Sequence, residues 1–107
     1  MQQVTKSDFE SEVIQSEKPV IVDFWAAWCG PCKMMGPVFE ELSGEFKGRL
    51  KFVKVNTEEN PELSEQHEVR GIPCLIVFNS GKEAGRIVGF AAKDALKQKI
   101  EGILASI

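Results

Sequence analysis

Apolar and polar positions along the chain follow two patterns, one typical of strands and the other of helices. Residues 20–25 are apolar except for Asp23, as expected for a strand buried on both faces of a largely parallel sheet. Over residues 33–46, apolar residues recur every three and four positions, which predicts an amphipathic helix that Pro37 should kink. A further apolar strand is predicted from Arg49 or Leu50 to Asn56.

The N-terminal residues predict a short strand and then a helix. The strand lies around Gln3 and Val4. Ser7 and Glu10 have the spacing of a capping box, and the apolar residues that follow fall on one helical face. We therefore expect a helix over residues 7–15.

The second half of the chain predicts a short helix, a hairpin and a last helix. Asn60-Pro61 has the form of a cap followed by proline at the first helical position. Residues 74–79 and 83–88 are strands joined by the tight turn Ser80-Gly81. Residues 92–107 carry an apolar stripe at helical spacing.

The predicted order of elements is βαβαβ, then a short helix, then ββα. Strands that alternate with helices form a parallel sheet covered on both faces, to which the hairpin adds antiparallel strands. We therefore expect a single α/β domain over residues 1–107. Ligand chemistry in such sheets tends to lie at the carboxyl ends of parallel strands.

Composition excludes several classes of function. The 107 residues are 43% hydrophobic and 27% charged, with a formal net charge of −3. Nucleic acids and acidic membranes attract basic surfaces, so we expect neither as a partner. No apolar stretch approaches the roughly 20 residues that span a bilayer. The first residues are polar and carry both signs of charge, unlike a secretory signal, so a cytoplasmic location is expected.

Two of the three cysteines stand where a strand is predicted to turn into a helix. Cys29 and Cys32 enclose Gly30 and Pro31. Their sulfurs can close a small ring, and a helix N-terminus favours the thiolate form of a nearby cysteine. The pair therefore predicts a site of dithiol–disulfide exchange, with a structural disulfide or half of a zinc site as alternatives.

A metal site would need further ligands. Cys29, Cys32, Cys74 and His67 have the composition of a Cys₃His zinc set. The neighbours of His67 are polar, however, which predicts a solvated surface residue, so no metal is expected.

Asp23 is unusual because it interrupts an apolar strand. Burial would raise the pKa of its carboxyl group and suit it to proton transfer near neutral pH. A structural, hydrogen-bonded aspartate is the alternative. Lys54, in the neighbouring apolar strand, is either its charge partner or a lysine whose ammonium reaches the surface.

The residues around the cysteine pair resemble those of the thioredoxin family, and the resemblance covers the whole chain. Residues 22–33 read Val-Asp-Phe-Trp-Ala-Ala-Trp-Cys-Gly-Pro-Cys-Lys. Gly71-Ile72-Pro73, Phe78 with Gly81, and Val88-Gly89 complete the similarity. The resemblance implies the thioredoxin fold, a mixed five-stranded sheet flanked by four helices on both faces.

The resemblance also implies roles for individual residues. Cys29 would be the nucleophile that attacks a substrate disulfide, and Cys32 the resolving thiol. Asp23 would serve as acid and base for Cys32 and would be tuned by Lys54. Gly-Pro between the cysteines, at positions 30 and 31, resembles the reducing members of the superfamily and would tune the redox equilibrium of the pair.

A substrate-docking surface is implied around the cysteines, with Pro73 in the family's cis-proline loop. The residues expected to form it are Trp28, Gly71, Ile72, Pro73, Gly89 and Phe90. Phe90 is larger than the residue expected there, and packing against the last helix is its alternative role. Cys74 stands where the family usually has threonine. It is either a small buried residue or a third, regulatory thiol beside the redox pair.

The implied activity is reduction of protein disulfides through reversible oxidation of the Cys29/Cys32 dithiol, which would supply electrons to cellular enzymes. The expected partners are a thioredoxin reductase and disulfide-containing proteins. The chain would act as a monomer with no bound cofactor besides the redox-active disulfide. The alternatives are a redox-linked binding subunit of a larger complex and a disulfide isomerase or oxidase.

Overall fold

The computed structural model describes residues 1–107 and contains five strands and four helical segments. The strands are β1 (Gln2–Gln3), β2 (Val20–Trp25), β3 (Lys51–Asn56), β4 (Cys74–Asn79) and β5 (Lys82–Val88). The helices are a π-helix (Glu10–Ile14), α1 (Gly30–Glu45), α2 (Pro61–Gln66) and α3 (Lys93–Ala105). The predicted order of elements and the mixed α/β architecture are confirmed.

The sheet has the strand order β1-β3-β2-β4-β5. β3 pairs in parallel with both β1 and β2, whereas β4 is antiparallel to β2 and to β5. Nearly every residue of β2 is buried, because the strand lies in the middle of the sheet with helices on both faces. Its apolar sequence follows from that position.

Two hydrophobic clusters cover the two faces of the sheet. Alternate strand residues point to opposite faces, so odd and even positions of β2 enter different clusters. On one face, Ile21 and Leu75 pack with Phe39 of α1 and Leu96 of α3. The cluster on the other face contains, from the sheet, Val22, Phe24, Val53 and Ile76, and from the helical segments, Phe9, Val13 and Leu63.

Ion pairs link α1 to α3 along the outside of the first cluster. Lys93 Nζ lies 2.6 Å from Glu41 and 2.7 Å from Glu45, and Lys97 Nζ lies 2.8 Å from Glu45. Hydrogen bonds from both lysines lower the pKa of Glu45 to about 2. No helix is both long and apolar enough to cross a membrane.

The predicted N-terminal helix differs from the observed one. The Ser7 hydroxyl does not cap a helix; it lies 2.9 Å from the Thr5 hydroxyl. A turn begins at Thr5 instead, where the Thr5 N–H and the Thr5 hydroxyl both donate to Asp8 Oδ1, at 2.7 and 3.2 Å. Turns follow, and regular structure is confined to the π-helix Glu10–Ile14 rather than residues 7–15.

Candidate active site

A disulfide joins Cys29 and Cys32 at the N-terminus of α1. Cys29 is the N-cap, and Pro31 occupies the first turn, where its missing N–H costs no helical hydrogen bond. Cys29 Sγ accepts a hydrogen bond from the Cys32 N–H at 3.2 Å. The positive end of the helix therefore lies at this sulfur and favours its thiolate once the disulfide is reduced.

Both cysteines are shielded from solvent. Each is 4% exposed, and they pack with Ala26 in a small apolar cluster. Trp25 and Ile72 pack against that cluster. The side chains of Trp25 and Ile72 therefore help to shield the two sulfurs from solvent.

The carboxyl group of Asp23 is buried on the face of the sheet covered by α1. It is fully buried, and neither oxygen has a hydrogen-bond partner in the protein. Burial raises the pKa of Asp23 to about 7, against the opposing effect of the positive charge on Lys54. A carboxyl group with this pKa can both take and release a proton near neutral pH.

Lys54 lies opposite Asp23 on β3. Its Nζ lies 4.7 Å from the centre of the Trp25 ring, a cation–π arrangement. The lysine acts on the pKa of Asp23 through its charge and is not a hydrogen-bond partner of the carboxylate.

A loop from the C-terminal half of the chain reaches the disulfide. The Ile72–Pro73 peptide bond is cis, and the Ile72 carbonyl oxygen lies 3.8 Å from Cys29 Sγ. The Pro73 carbonyl accepts a hydrogen bond from the Gly89 N–H at 2.8 Å, so the end of β5 is tied to the same loop. The Ile72 N–H and carbonyl make no backbone hydrogen bond and remain available to another chain.

Apolar side chains flank the disulfide. Trp28 is 68% exposed and Phe90 42% exposed, whereas Pro73 is buried and Ile72 half-buried. Sequence reasoning did not identify Val88 as an exposed apolar residue. Its position as the last residue of an edge strand is the signal that could have indicated this exposure.

Cys74 is a free thiol on the other face of the sheet from Asp23. It is fully buried in the cluster that contains Phe24 and Ile76. Burial raises the pKa of the Cys74 thiol, which disfavours the reactive thiolate. This environment is the one expected of a small buried residue.

His67 is not the solvated surface residue that its neighbours predicted. Its ring is half-buried among three aromatic rings, 5.2 Å from Phe9, 6.3 Å from Phe24 and 5.2 Å from Phe78 between ring centres. Burial, more than the nearby charge of Arg86, lowers the pKa of His67. The signal in the sequence is its spacing of four from Leu63, which places both on the buried face of one helical turn.

The four candidate zinc ligands do not converge. Cys74 and His67 belong to the face of the sheet covered by the π-helix and α2, whereas Cys29 and Cys32 lie at the start of α1. No group of three or more His, Cys, Asp or Glu side chains is arranged to hold a metal ion.

Several known proteins are similar to this chain in sequence. The thioredoxin family model matches residues 1–102. Thioredoxin 1 of Nostoc sp. is 48% identical over 99 residues, which are 92% of each chain. Thioredoxin of Synechocystis sp. is 44% identical over 102 residues, 95% of each chain. The chloroplastic M-type thioredoxin of Chlamydomonas reinhardtii is 43% identical over 94% of this chain and 72% of its own length. With Cys29 and Cys32 paired at the start of α1, the chain belongs to the thioredoxin family and is a thiol–disulfide oxidoreductase.

Proposed function

We propose that this oxidoreductase works as a protein-disulfide reductase in which Cys29 is the nucleophile and Cys32 the resolving thiol. The observation that carries the assignment is the hydrogen bond from the Cys32 N–H to Cys29 Sγ at the start of α1. It stabilises negative charge on Cys29, the cysteine beside the docking loop.

The reaction has two exchange steps. The Cys29 thiolate attacks one sulfur of a substrate disulfide, forms a mixed disulfide and releases the other substrate sulfur as a thiolate, which takes up a proton. The Cys32 thiolate then attacks Cys29 Sγ. This step releases the second substrate thiolate and leaves the Cys29–Cys32 disulfide, so the substrate gains two electrons and the enzyme loses them.

Asp23 is proposed to accept the proton from Cys32 and return it in the reverse reaction. Its pKa of about 7 supports this role, since the group exchanges a proton with little free-energy cost at neutral pH. Lys54 is proposed to tune the carboxyl group through its positive charge. Gly30 and Pro31 would set the redox equilibrium of the pair by shaping the ring between the cysteines.

The oxidised protein must be reduced again. We propose that a reductase of the thioredoxin reductase class supplies two electrons by dithiol exchange, and that the chain acts as a cytoplasmic monomer without a bound cofactor. An extended substrate segment would pair with the free backbone groups of Ile72. Trp28, Gly71, Pro73, Gly89 and Phe90 would surround that segment.

Replacement of the resolving cysteine tests the proposal. Cys32→Ser should accumulate a mixed disulfide with an added disulfide-bonded protein, joined through Cys29 and released by dithiothreitol. Cys29→Ser should form none, whereas Cys74→Ser introduced into Cys32→Ser should still form it. Mass spectrometry of the linked peptides identifies the cysteine. Linkage through Cys74, or no adduct at all, would contradict the assignment.

A further inference from the structure

Gln3, Lys54 and Asp23 form a row across three neighbouring strands. Gln3 of β1 lies opposite Lys54 of β3, and Lys54 lies opposite Asp23 of β2, with all three strands parallel. Residues opposite each other in parallel strands point to the same face of a sheet. That face is the one covered by α1, because a Cβ added at Gly36 of α1 would lie 4.0 Å from Lys54 Nζ. Gln3 therefore stands at the edge of the row that ends at the buried carboxyl group.

The indole of Trp25 links Gln3 to Lys54. Trp25 Nε1 donates a hydrogen bond to Gln3 Oε1 at 3.3 Å. Lys54 Nζ lies 4.7 Å from the centre of the same ring. The lysine does not hydrogen-bond the Asp23 carboxylate, whose two oxygens have no partner. The position of the ammonium group therefore depends on the indole, and the position of the indole depends on the Gln3 amide.

We propose that Gln3 is a positioning residue for the reaction, because it fixes the Trp25 indole that holds the Lys54 ammonium near Asp23. The proposal rests on the proposed role of Asp23 in the reductase reaction and adds a residue of the edge strand β1 that controls it. Gln3 is not a catalytic residue, since it acts only through the indole and the ammonium group.

Loss of the Gln3 acceptor should let the ammonium group move away from Asp23. Lys54 lies on β3, beside β1, which is a two-residue edge strand with both residues exposed. A lysine that the indole no longer holds would extend its flexible side chain into water at this edge, since an ammonium group is strongly hydrated. Its attraction for the carboxylate would then weaken. The pKa of Asp23, which burial raises and Lys54 lowers, would rise above about 7.

The oxidised protein isolates the effect of Lys54 on this carboxyl group. Lys54 is the charged group that acts on the pKa of Asp23. From α1, Cys32 is held in the disulfide and does not titrate. From β4, Cys74 lies on the other face of the sheet, and its thiol has a raised pKa and is neutral near pH 7. The side chains that α3 packs against the α1 face are apolar.

Titration of the Asp23 carboxyl carbon by NMR in the oxidised protein tests the proposal. Gln3→Met keeps a side chain of similar length without the amide acceptor, and it should raise the proton affinity of Asp23 by about two-fold or more, the order of a cation–π contact. Trp25→Phe keeps an aromatic ring without the N–H donor and should raise it as well. Gln2→Met is the matched control on the same strand. Gln2 lies on the other face, where its amide donates to Glu12 at 2.7 Å, so this variant should leave the titration unchanged.

A double-mutant cycle with Lys54 distinguishes positioning from a general loss of structure. Lys54→Met should raise the pKa of Asp23 at least as far as Gln3→Met does, because it removes the charge itself. Gln3→Met added to Lys54→Met should cause no further change. An equal shift with and without the lysine, or no shift in Gln3→Met, would overturn the proposal.

Turnover separates this proposal from the function on which it rests. In Gln3→Met, the acidic limb of the pH profile of kcat for disulfide reduction should move to higher pH by the same factor as the titration. An unshifted titration together with normal disulfide reduction would overturn the positioning role and leave the reductase function standing. A shifted titration with an unchanged pH profile would overturn both the positioning role and the role proposed for Asp23.

Discussion

Among single residues, Asp23 links the reaction to the stability of the fold. Its folded pKa is about 7, against an ordinary value of 3.8, so the folded protein binds more protons than the unfolded chain between these values. Stability contributed by the neutral carboxyl is therefore present below about pH 4 and is lost as the pH rises to about 7. The shift corresponds to roughly 4 kcal/mol at most.

Asp23→Asn should remove this dependence, because an amide does not ionise. We expect the variant and the wild-type protein to have similar free energies of unfolding near pH 4. Above pH 7 the variant should be more stable by up to roughly 4 kcal/mol, while disulfide turnover is slower. Urea unfolding at pH 4 to 8 and insulin-type disulfide reduction measure the two effects. Equal stability at pH 8, or unchanged turnover, would contradict the account of Asp23.

Cys74 gives a second prediction at the scale of one residue. Its burial and raised pKa should prevent alkylation in the native protein. In the oxidised protein, Cys29 and Cys32 are protected by their disulfide, so iodoacetamide can reach only Cys74. Mass spectrometry should show no label at pH 8 without denaturant and one label in urea. Rapid labelling of the native protein would instead favour a regulatory thiol.

Sequence reasoning at this scale succeeds where a residue breaks the pattern of its own element. Asp23 stands out in an apolar strand, so its burial and raised pKa could be predicted. His67 does not stand out among polar neighbours, because its burial depends on aromatic rings contributed by three other elements. Val88 looks like any strand residue, and its exposure arises from the edge position of β5.

At the scale of elements, α3 packs closely against β5 through a glycine. A Cβ added at Gly85 would lie 2.9 Å from two side-chain atoms of Ile103. Gly44, inside α1, has no atom within 4 Å of its Cβ position. These two glycines therefore form a matched pair, one required by packing and one not.

Gly85→Ala should destabilise the fold by about 1–3 kcal/mol, because Ile103 and α3 must move to admit the methyl group. Gly44→Ala should stabilise it by roughly 0.5–1 kcal/mol, since alanine favours a helix interior. Urea midpoints at constant m-value measure both effects. If both variants are stabilised alike, Gly85 is not required for the close packing of α3 on β5, and the prediction is contradicted.

For elements, the sequence predicted type and order better than boundaries. α1 begins at Gly30, three residues before the predicted start, with Cys29 as its N-cap. The first residues of the predicted N-terminal helix form a turn instead, in which Asp8 accepts from the Thr5 N–H and the Ser7 hydroxyl lies against that of Thr5. The burial of β2 was easier to predict, since its apolar composition indicates a strand covered on both faces.

At the scale of the whole molecule, the two faces of the sheet carry buried groups with opposite effects on stability. Asp23 lies on the α1 face, and its raised pKa makes stability fall as the pH rises to about 7. His67 lies on the opposite face, and its pKa is lowered from 6.5. A histidine with a lowered pKa contributes stability above pH 6.5 that is lost as the pH falls below it. The two effects therefore oppose each other just below pH 6.5, where both groups change their protonation.

This opposition predicts the result of a double-mutant cycle. His67→Phe keeps an aromatic ring among Phe9, Phe24 and Phe78 but removes the titrating histidine. The stability of this variant should therefore fall more steeply than that of the wild-type protein as the pH rises towards 6.5. Asp23→Asn should show the reverse slope just below pH 6.5, because the lowered pKa of His67, which faces Glu83 and Arg86, then governs the dependence. The double variant should be nearly flat, since sites on opposite faces of a sheet act almost additively. Free energies of unfolding, measured by urea denaturation at four pH values, test this prediction. A double variant that keeps the wild-type profile would show that other groups govern the pH dependence.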